Sequence, residues 1–528
     1  MLPFDFISRR ALLLAGGACR LSALAAEKPP IVDTAYGRVR GATARGVHMF
    51  RGIPYGGPTE GAGRFLPPAK PTPWTGVRDA TVTGPRCVQG EGNIFANPII
   101  GEYFAGGRPD RVELSRQTDS ENCLGLNVLT PALHGKRPVM VYIHGGGFTG
   151  GSNVLTLFGD GLVREQDVVL VGVNHRLNVF GYAYLGGLSG KYAIGNVGQL
   201  DLVAALGWVR ENIGRFGGDP ANVTVFGESG GGAKISALMA MPAGRGLFHK
   251  ASVQSGSALR AATADEATET ARKWLGNLGL GASQVDELAR MPADRLFAAS
   301  RGLAGFGAVV DGHSIPAQTW DPKAPGVSAG VPMLIGNSKD ESTLFSLRDE
   351  ELFCLDAAGL RARVVRAGIP EAEVDALLAL YHRDHPAESP TDLYFRISTD
   401  RGARRNAVRQ AELKIEQGRA PVWLWCCQWN TPLGEGAKKI KAFHTSDLPL
   451  TMRLAMFPES EQLSRQLSRA WGAFAWTGRP GTKSLPWPAY TLARRETMIF
   501  DGAHSGVVND PDRDERIALR DRPSGGLL

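Results

Sequence analysis

Residues 222–231 read NVTVFGESGG, an apolar run that leads into the pattern Gly-x-Ser-x-Gly around Ser229. The run is typical of a buried strand, and residues 233–241 (AKISALMAM) are typical of a helix. A serine at a sharp strand-to-helix turn needs small neighbours, because larger side chains would collide with the adjoining elements. The segment therefore predicts a nucleophilic serine at Ser229. A glycine-rich turn that merely joins a strand to a helix is the alternative.

Apolar runs of strand length recur along the chain and alternate with segments of helical periodicity. Two of them, residues 138–144 and 167–174, resemble strands that are buried on both faces of a parallel sheet. This alternation predicts a doubly wound α/β fold with a large, mostly parallel central sheet, helices on both faces and helical insertions. Further strands are expected at residues 331–336 and 422–429, and helices or helix-rich segments at residues 199–213, 261–304, 350–420 and 460–477.

A second glycine-rich motif, residues 144–148 (HGGGF), follows a predicted strand upstream of the serine. Acyl transfer develops negative charge on a carbonyl oxygen, and glycine backbone can present unhindered N–H groups to that oxygen. We therefore expect an oxyanion hole formed by the N–H groups of Gly146, Gly147 and Gly230. A flexible loop or a phosphate-binding loop is the alternative, but the lysine and the Gly-x-Gly-x-x-Gly spacing of phosphate-binding motifs are missing.

From about residue 31 to residue 500 the chain resembles the type-B carboxylesterase family, which includes bacterial p-nitrobenzyl-type esterases, animal carboxylesterases and cholinesterases. The resemblance implies the α/β-hydrolase fold and hydrolysis of carboxylic esters without a metal or an organic cofactor. The matching segments are long and occur in chain order, which makes them highly specific. They are FRGIPYG (50–56), SENCLGLNVLTP (120–131), YIHGGGF (142–148), GNVGQLD (195–201), WVRENIGRFGGDPANVTVFGESGG (208–231) and VVDG (309–312).

The same resemblance implies a Ser-Glu-His catalytic triad. Residues 336–341 (GNSKDE) match the family's acid motif, which makes Glu341 rather than Asp340 the acid. Residues 443–447 (FHTSD) match its histidine motif, which makes His444 the base. The chain order serine, glutamate, histidine is also the order expected of an α/β-hydrolase.

Two further side chains are expected to support the triad. Glu228 precedes the serine, as the family's usual residue does, and is expected to tune the charge of the pocket. Ser255 is expected to orient Glu341, although simple turn chemistry explains a serine in the sequence QSG (254–256) equally well.

The resemblance also implies two structural supports. Cys87 and Cys123 match the family's N-terminal disulfide, which would close a loop at the mouth of the site. Arg51 and Glu121 resemble its buried ion pair. Both pairs are expected to stabilise the fold and to take no part in catalysis.

The N-terminal residues are typical of an export signal. Ser8-Arg9-Arg10 stands directly before the apolar residues 11–18, and Ala23-Leu24-Ala25 offers a cleavage site, as in twin-arginine signals. We therefore expect a signal peptide at residues 1–25, a single catalytic domain at residues 26–528, and a periplasmic or secreted product. A retained anchor is the alternative, but the run is far shorter than the roughly 20 apolar residues that a stable membrane span needs.

The charge of the chain does not indicate a nucleic-acid partner, and a small-molecule partner is what the family resemblance implies. Its formal net charge is +7, and the basic residues 401–409 and 438–441 lack interleaved aromatic residues, so they indicate solvated surface rather than a nucleic-acid site. The expected partner is a small ester, and the oligomeric state is left open. Amide or lactone hydrolysis, acyl transfer to an alcohol, and a non-catalytic binding module are the alternative functions.

Overall fold

The structure is a computed structural model that describes residues 28–90, 98–105, 111, 116–435, 439–454 and 457–522. The predicted signal peptide, residues 1–25, lies outside these ranges, so its removal and the boundary of the catalytic domain stay predictions.

The strands are β1 Ile31–Thr34, β2 Gly37–Arg40, β3 Ala42–Ala44, β4 Val47–Pro54, β5 Val77–Asp79, β6 Gly125–Thr130, β7 Arg137–Ile143, β8 Val169–Val173, β9 Gly218–Glu228, β10 Lys250–Gln254, β11 Ala262–Thr263, β12 Val309–Val310, β13 Met333–Ser338, β14 Val422–Cys427, β15 Glu496–Phe500 and β16 Gly506–Asn509. The α-helices are α1 Pro98–Ala105, α2 Asp160–Gln166, α3 Asn178–Tyr182, α4 Val197–Asn212, α5 Gly230–Leu238, α6 Ala264–Asn277, α7 Ala293–Ala298, α8 Ser342–Phe345, α9 Ala357–Arg366, α10 Glu371–Asp384, α11 Pro390–Thr399, α12 Arg405–Glu416, α13 Asp447–Thr451, α14 Glu461–Thr477 and α15 Arg513–Leu519.

Eleven strands form one large sheet in the order β16-β15-β14-β13-β10-β9-β7-β8-β6-β4-β3. The neighbouring strands from β15 to β8 all pair in parallel, and the antiparallel pairs lie at the two ends of the sheet. The large, mostly parallel sheet of the prediction is therefore confirmed. Open α/β sheets bind their ligands at the carboxyl ends of the parallel strands, and the glycine loop, Ser229, Ser255 and Glu341 follow β7, β9, β10 and β13 there.

The side chains of each central strand alternate between two apolar cores. In β7, Val139 and Val141 belong to one core, whereas Met140 and Tyr142 belong to the other, because adjacent residues of a strand point to opposite faces. Helices α4, α5 and α12 contribute to the first core, and α2 and α14 contribute to the second. Helices thus cover both faces of the sheet, as the α/β-hydrolase fold requires.

The helix-rich segment predicted at residues 350–420 contains a core of its own. Apolar side chains of α9, α10 and α11 pack together there with Leu519 of α15. Helix α12, by contrast, packs against β13 and β14 of the main sheet. Within the part of the chain that the structure describes, no helix is long and apolar enough to cross a membrane.

The buried ion pair involves a different arginine from the one expected. Glu121 pairs with Arg64, whose Nε donates to Glu121 Oε2 at 2.6 Å, and not with Arg51. Nη2 of Arg64 donates to Glu121 Oε1 at 2.5 Å, and Nη1 donates to the carbonyl oxygens of Leu288 and Met291 at 2.7 and 2.8 Å. This set of acceptors satisfies a buried guanidinium group, which explains why Arg64 occupies the position. The prediction of an Arg51–Glu121 pair was wrong.

The two cysteines of the expected disulfide lie next to each other in the core. Cys87 and Cys123 are each 1% exposed, and the proximity of Cys87 together with burial raises the pKa of the Cys123 thiol well above its usual value. Both are free thiols in this structure. Cys87 Sγ also accepts a hydrogen bond from the backbone N–H of Leu177 at 3.2 Å. The pair is adjacent as the prediction requires, and the disulfide itself stays a prediction.

Candidate active site

Ser229 lies at a strained turn between β9 and α5. Its backbone angles are φ 56° and ψ −126°, which a non-glycine residue rarely adopts. Its N–H donates to the carbonyl oxygen of Gln254 at 2.8 Å, which ties the turn to the end of β10. A methyl group added at Gly231 would approach the carbonyl oxygen of Ile143 to 2.0 Å, and one at Gly227 would approach it to 2.6 Å. The flanking glycines are therefore required by close packing, as the sequence indicated.

The glycine loop after β7 packs directly on the first residue of α5. A Cβ atom at Gly230 would lie 2.2 Å from the carbonyl oxygen and 2.4 Å from the nitrogen of Gly147. Gly146 and Gly147 have φ values of 90° and 60°, the left-handed region that favours glycine. Within the described residues, the N–H groups of Gly146, Gly147 and Gly230 donate no hydrogen bond. Three backbone N–H groups without a partner therefore lie on the two segments that pack together at Gly147 and Gly230, next in the chain to Ser229.

Glu341 is held by three groups from three segments. Its Oε1 accepts hydrogen bonds from Ser255 Oγ at 2.6 Å and from the backbone N–H of Ser338 at 2.7 Å, and its Oε2 contacts His444 Nδ1. The neighbouring Asp340 instead accepts a hydrogen bond from the backbone N–H of Ala442 at 3.2 Å. The two adjacent carboxylates therefore differ in their partners: Glu341 contacts the imidazole, and Asp340 holds the loop that carries it.

His444 lies between two buried carboxylates. Its Nδ1 contacts Glu341, and its Nε2 is 3.2 Å from Glu228 Oε1. Burial alone would lower the pKa of His444, but Glu228 and Glu341 outweigh burial and raise this pKa to about 9. Burial also raises the pKa of the Glu228 carboxyl group well above its usual value. His444 Nε2 has no aligned hydrogen-bond partner in the part of the chain that the structure describes, so this nitrogen is available to a serine proton.

A cleft of about 1030 Å³ opens beside the oxyanion loop. Near the loop it is lined by Gly147, Phe148, Gly230 and Ala233, which are small or apolar. Its outer part carries charged side chains of both signs, namely Arg260, Asp321, Arg405, Arg409, Glu412, Glu416, Arg495, Arg520 and Asp521. Because drug-sized ligands fill pockets of roughly 300–1000 Å³, the cleft has room for esters larger than simple acetates.

Two features of the site were not found from the sequence. Phe345 in α8 lies with its ring centre 4.9 Å from that of His444 and is 51% exposed, so it forms an apolar cover at the solvent side of the imidazole. Asp447 is buried and accepts a hydrogen bond from the Gln254 side chain, and burial raises its pKa to about 6. No sequence signal marks Phe345, whereas Asp447 stands in the histidine motif itself.

One group of side chains has the composition of a metal site but not its electrostatics. His385, Asp512 and Glu515 bring their potential ligand atoms within 4.8 Å of one another. Arg396 and Arg404, however, lie 3.8 and 3.3 Å from the Asp512 carboxylate, and His385 is bonded to Glu515. Two guanidinium groups at the same carboxylate oppose a cation there.

These features define an α/β-hydrolase with a buried serine at the strand-to-helix turn, a glycine-rich loop packed against that turn and a histidine–glutamate pair. The sequence profile described as the carboxylesterase family matches residues 28–516. The para-nitrobenzyl esterase of Bacillus subtilis is 37% identical over 511 residues, which cover 93% of this chain and 98% of that protein. The chain belongs to the carboxylesterase family and is a carboxylic ester hydrolase.

Solved structures show the same likeness in three dimensions. A structure described as PNB esterase superposes with a TM-score of 0.77 at 36% identity, covering 93% of this chain and 99% of its own. A carboxylesterase of Geobacillus stearothermophilus, solved at pH 6.2, gives a TM-score of 0.79 at 35% identity with the same coverage. The match extends over nearly the whole of both of these relatives.

Proposed function

We propose that this protein is a serine carboxylesterase that uses Ser229, His444 and Glu341 as its triad and forms an acyl-enzyme. The observation that carries the proposal is the contact between His444 Nδ1 and Glu341 Oε2. His444 Nε2 lies 3.2 Å from Glu228 Oε1, and Glu228 directly precedes the serine at the strained strand-to-helix turn. Glu341 fixes the imidazole tautomer, so that Nε2 is free to accept the serine proton. Membership of the family supports ester hydrolysis, and the contacts of these three residues support their roles.

In the first half-reaction Ser229 Oγ attacks the ester carbonyl carbon while His444 Nε2 takes its proton. The oxygen of the tetrahedral intermediate gains a negative charge and accepts hydrogen bonds from Gly146, Gly147 and Gly230. The carbon–oxygen bond to the alcohol then breaks, and His444 returns its proton to the departing alkoxide. The products of this step are a free alcohol and an acyl-Ser229 ester.

In the second half-reaction a water molecule replaces the alcohol. His444 takes a proton from the water as its oxygen attacks the acyl carbon, and the same three N–H groups stabilise the second intermediate. The bond to Ser229 Oγ breaks, the serine recovers its proton from His444, and the carboxylic acid leaves.

The decisive experiment measures hydrolysis of p-nitrophenyl acetate and butyrate by the wild type and by Ser229→Ala. We expect kcat to fall by about 10⁴-fold or more in the variant, and a fluorophosphonate reagent to label only Ser229. Ser468→Ala is the matched control, because Ser468 is a buried serine that bonds only within α14 and should keep full activity.

Other outcomes would separate the alternative functions. An inert, unlabelled wild type would contradict the enzyme proposal and favour a binding module. Faster cleavage of an amide or lactone than of the matched ester, or transfer of the acyl group to an added alcohol in preference to water, would favour the other acyl-transfer activities. Product analysis by mass spectrometry distinguishes these cases.

We also propose that residues 1–25 direct export through the twin-arginine route and that the product is periplasmic or secreted. The paired Arg9 and Arg10 before a short apolar run support this proposal. Replacing both arginines by lysine should leave the full-length protein in the cytoplasm, whereas the unaltered chain should appear outside it, shortened at its N-terminus. Equal distribution of both proteins would contradict the proposal.

A further inference from the structure

Lys234 is a fully buried lysine on the helix that begins at the nucleophile. It is 0% exposed, and it makes no ion pair with any carboxylate of the described residues. Among the described residues, its ammonium group donates a single hydrogen bond, to the backbone carbonyl oxygen of His144 at 3.0 Å. Burying an unpaired charge is unfavourable because the charge loses its hydration, so we expect a lysine at this position to have a functional role.

The position of Lys234 connects it to both parts of the oxyanion hole. It follows Gly230 by four residues on α5, and residues four apart lie on the same face of a helix. Its Nζ is 5.7 Å from the ring centre of Phe148, the residue after Gly147, and it bonds to His144 at the start of the same loop. The ammonium group therefore contacts the glycine loop, which carries Gly146 and Gly147, from the helix that begins at Gly230.

The titratable groups around Lys234 leave its charge uncompensated. His144 and His175 stack with ring centres 4.6 Å apart, and burial lowers the pKa of His144 to about 3 and that of His175 well below its usual value. Arg176 and Asp201, from the segment after β8 and from α4, satisfy each other in a separate ion pair at 2.7 Å. No neighbouring anion therefore cancels the charge of the lysine.

We propose that the ammonium group of Lys234 is a positioning and electrostatic element of the oxyanion hole, which holds the glycine loop through His144 and stabilises the negative charge of the tetrahedral intermediates. The inference rests on the proposed ester hydrolysis at Ser229. A positive charge in a water-excluded region acts on a developing anion more strongly than it would in water. The ground-state ester carries no such anion, so the charge favours the intermediate over the bound substrate.

The pH dependence gives the inference a specific signature. Burial lowers the pKa of Lys234 to about 7, so its charge is present below that pH and is lost as the pH rises through it. The titration of His444 occurs in the wild type and in a Lys234 variant alike, and it largely cancels in the ratio of their kcat values. The ratio of wild-type kcat to variant kcat should therefore be large at pH 6 and much smaller at pH 8.5. It should approach one at pH 8.5 in Lys234→Gln, because glutamine keeps a donor for the carbonyl oxygen of His144.

The test compares Lys234→Met, which keeps the length of the side chain without its charge, with Lys234→Gln, which keeps a hydrogen-bond donor without charge. At pH 6 both variants should lose about 10- to 100-fold in kcat with little change in KM, and the inhibition constant of a trifluoromethyl ketone should rise by a similar factor. Melting temperatures should stay equal or rise, because a buried unpaired charge is removed.

Lys414→Met is the matched control. Lys414 is also buried, 1% exposed, and its ammonium group donates to the carbonyl oxygens of Ser328 and Ala329 away from the cleft. Its loss should leave kcat unchanged at both pH values, whatever it does to the melting temperature.

The possible outcomes separate this inference from the proposed function. Full activity of Lys234→Gln at pH 6 would overturn the role of charge, and so would a kcat ratio independent of pH or a loss confined to KM. A wild type that hydrolyses no ester would instead overturn the proposed function on which the inference rests.

Discussion

At the scale of single residues, Glu341 and Asp340 offer a sharp test of which carboxylate serves the histidine. Glu341→Gln keeps the shape of the side chain but removes the charge that fixes the imidazole, so kcat should fall by about 10³- to 10⁴-fold. Asp340→Asn can still accept the hydrogen bond from Ala442 and should lower kcat only about threefold or less. Steady-state kinetics of both variants on p-nitrophenyl butyrate decide; equal losses would contradict the assignment of Glu341.

The raised pKa of His444 predicts how activity depends on pH. The reaction needs neutral His444, so kcat/KM should rise with pH up to about the pKa of 9 and fall as the imidazole becomes protonated below it. Glu228→Gln removes a carboxylate that favours the protonated form, and the midpoint should move to lower pH. A pH profile of kcat/KM for both proteins measures the shift, and a midpoint that stays or moves upward would show that Glu228 does not act on His444.

Gly230 packs directly against the glycine loop. A methyl group there would overlap the backbone of Gly147, so Gly230→Ala should push the oxyanion loop away from Ser229. We expect kcat to fall at least about tenfold while fluorophosphonate labelling of Ser229 persists at a lower rate. Ala233→Gly, on the same helix, is the control for a small change that adds no atom. Unchanged kcat in Gly230→Ala would mean that the loop tolerates the displacement.

Single-residue assignments were predictable where a motif fixes the backbone and not where tertiary contacts decide. The turn around Ser229 and the loop around Gly147 need glycine for reasons that neighbouring sequence already shows. The roles of Lys234 and Phe345 depend on segments distant along the chain, because each contacts a residue of another element. No local pattern distinguishes such residues from ordinary core or surface positions.

At the scale of elements, the Arg64–Glu121 pair joins the loop before β6 to the segment around Leu288 and Met291. Arg64→Met leaves the Glu121 carboxylate buried without its partner and should lower the free energy of unfolding by about 3–5 kcal/mol. Arg51→Met is the control, since Arg51 Nε has no hydrogen-bond partner among the described residues, and it should cost about 1 kcal/mol or less. Urea unfolding measures both; a larger loss in Arg51→Met would restore the original assignment.

Some strands of the large sheet could be predicted from the sequence, and others could not. β7, β8, β13 and β14 are continuous apolar runs and were predicted. β10 and β15 were not, because β10 (KASVQ) carries polar residues at alternate positions and β15 (ETMIF) begins with two. Tertiary contacts accommodate these polar groups: Ser252 of β10, for example, accepts a hydrogen bond from the Trp471 indole N–H at 3.0 Å. Polar residues interrupt the hydrophobic pattern of a buried strand, so such a strand is not predicted from that pattern.

At the scale of the whole molecule, the proposed export would affect the stability of the fold through Cys87 and Cys123. In an oxidising compartment we expect these adjacent thiols to form a disulfide, which non-reducing peptide mapping by mass spectrometry would detect. Closing a loop of that length should stabilise the fold by about 4 kcal/mol, so Cys87→Ser should unfold at lower urea than the oxidised wild type. Cys354→Ser, at an exposed thiol, should unfold like the wild type. Free thiols at both positions in exported protein would contradict the prediction.

The overall architecture was predictable from the chain because alternating strands and helices allow few arrangements. The extent of the sheet was not, since its outer strands are short and read like loops. The partner of Glu121 was assigned wrongly for a related reason: several arginines flank this part of the chain, and only the folded positions of Leu288 and Met291 select Arg64.

The order of the strands also bears on how copies of the protein behave when crowded together. The large sheet ends in β3 on one side and β16 on the other, strands of only three and four residues. An exposed strand edge is a template on which a second chain can extend the sheet. A short edge strand presents few unpaired backbone N–H and C=O groups for such pairing. Growth of sheets from molecule to molecule is therefore disfavoured, and concentrated solutions should resist fibril formation as long as the fold is intact.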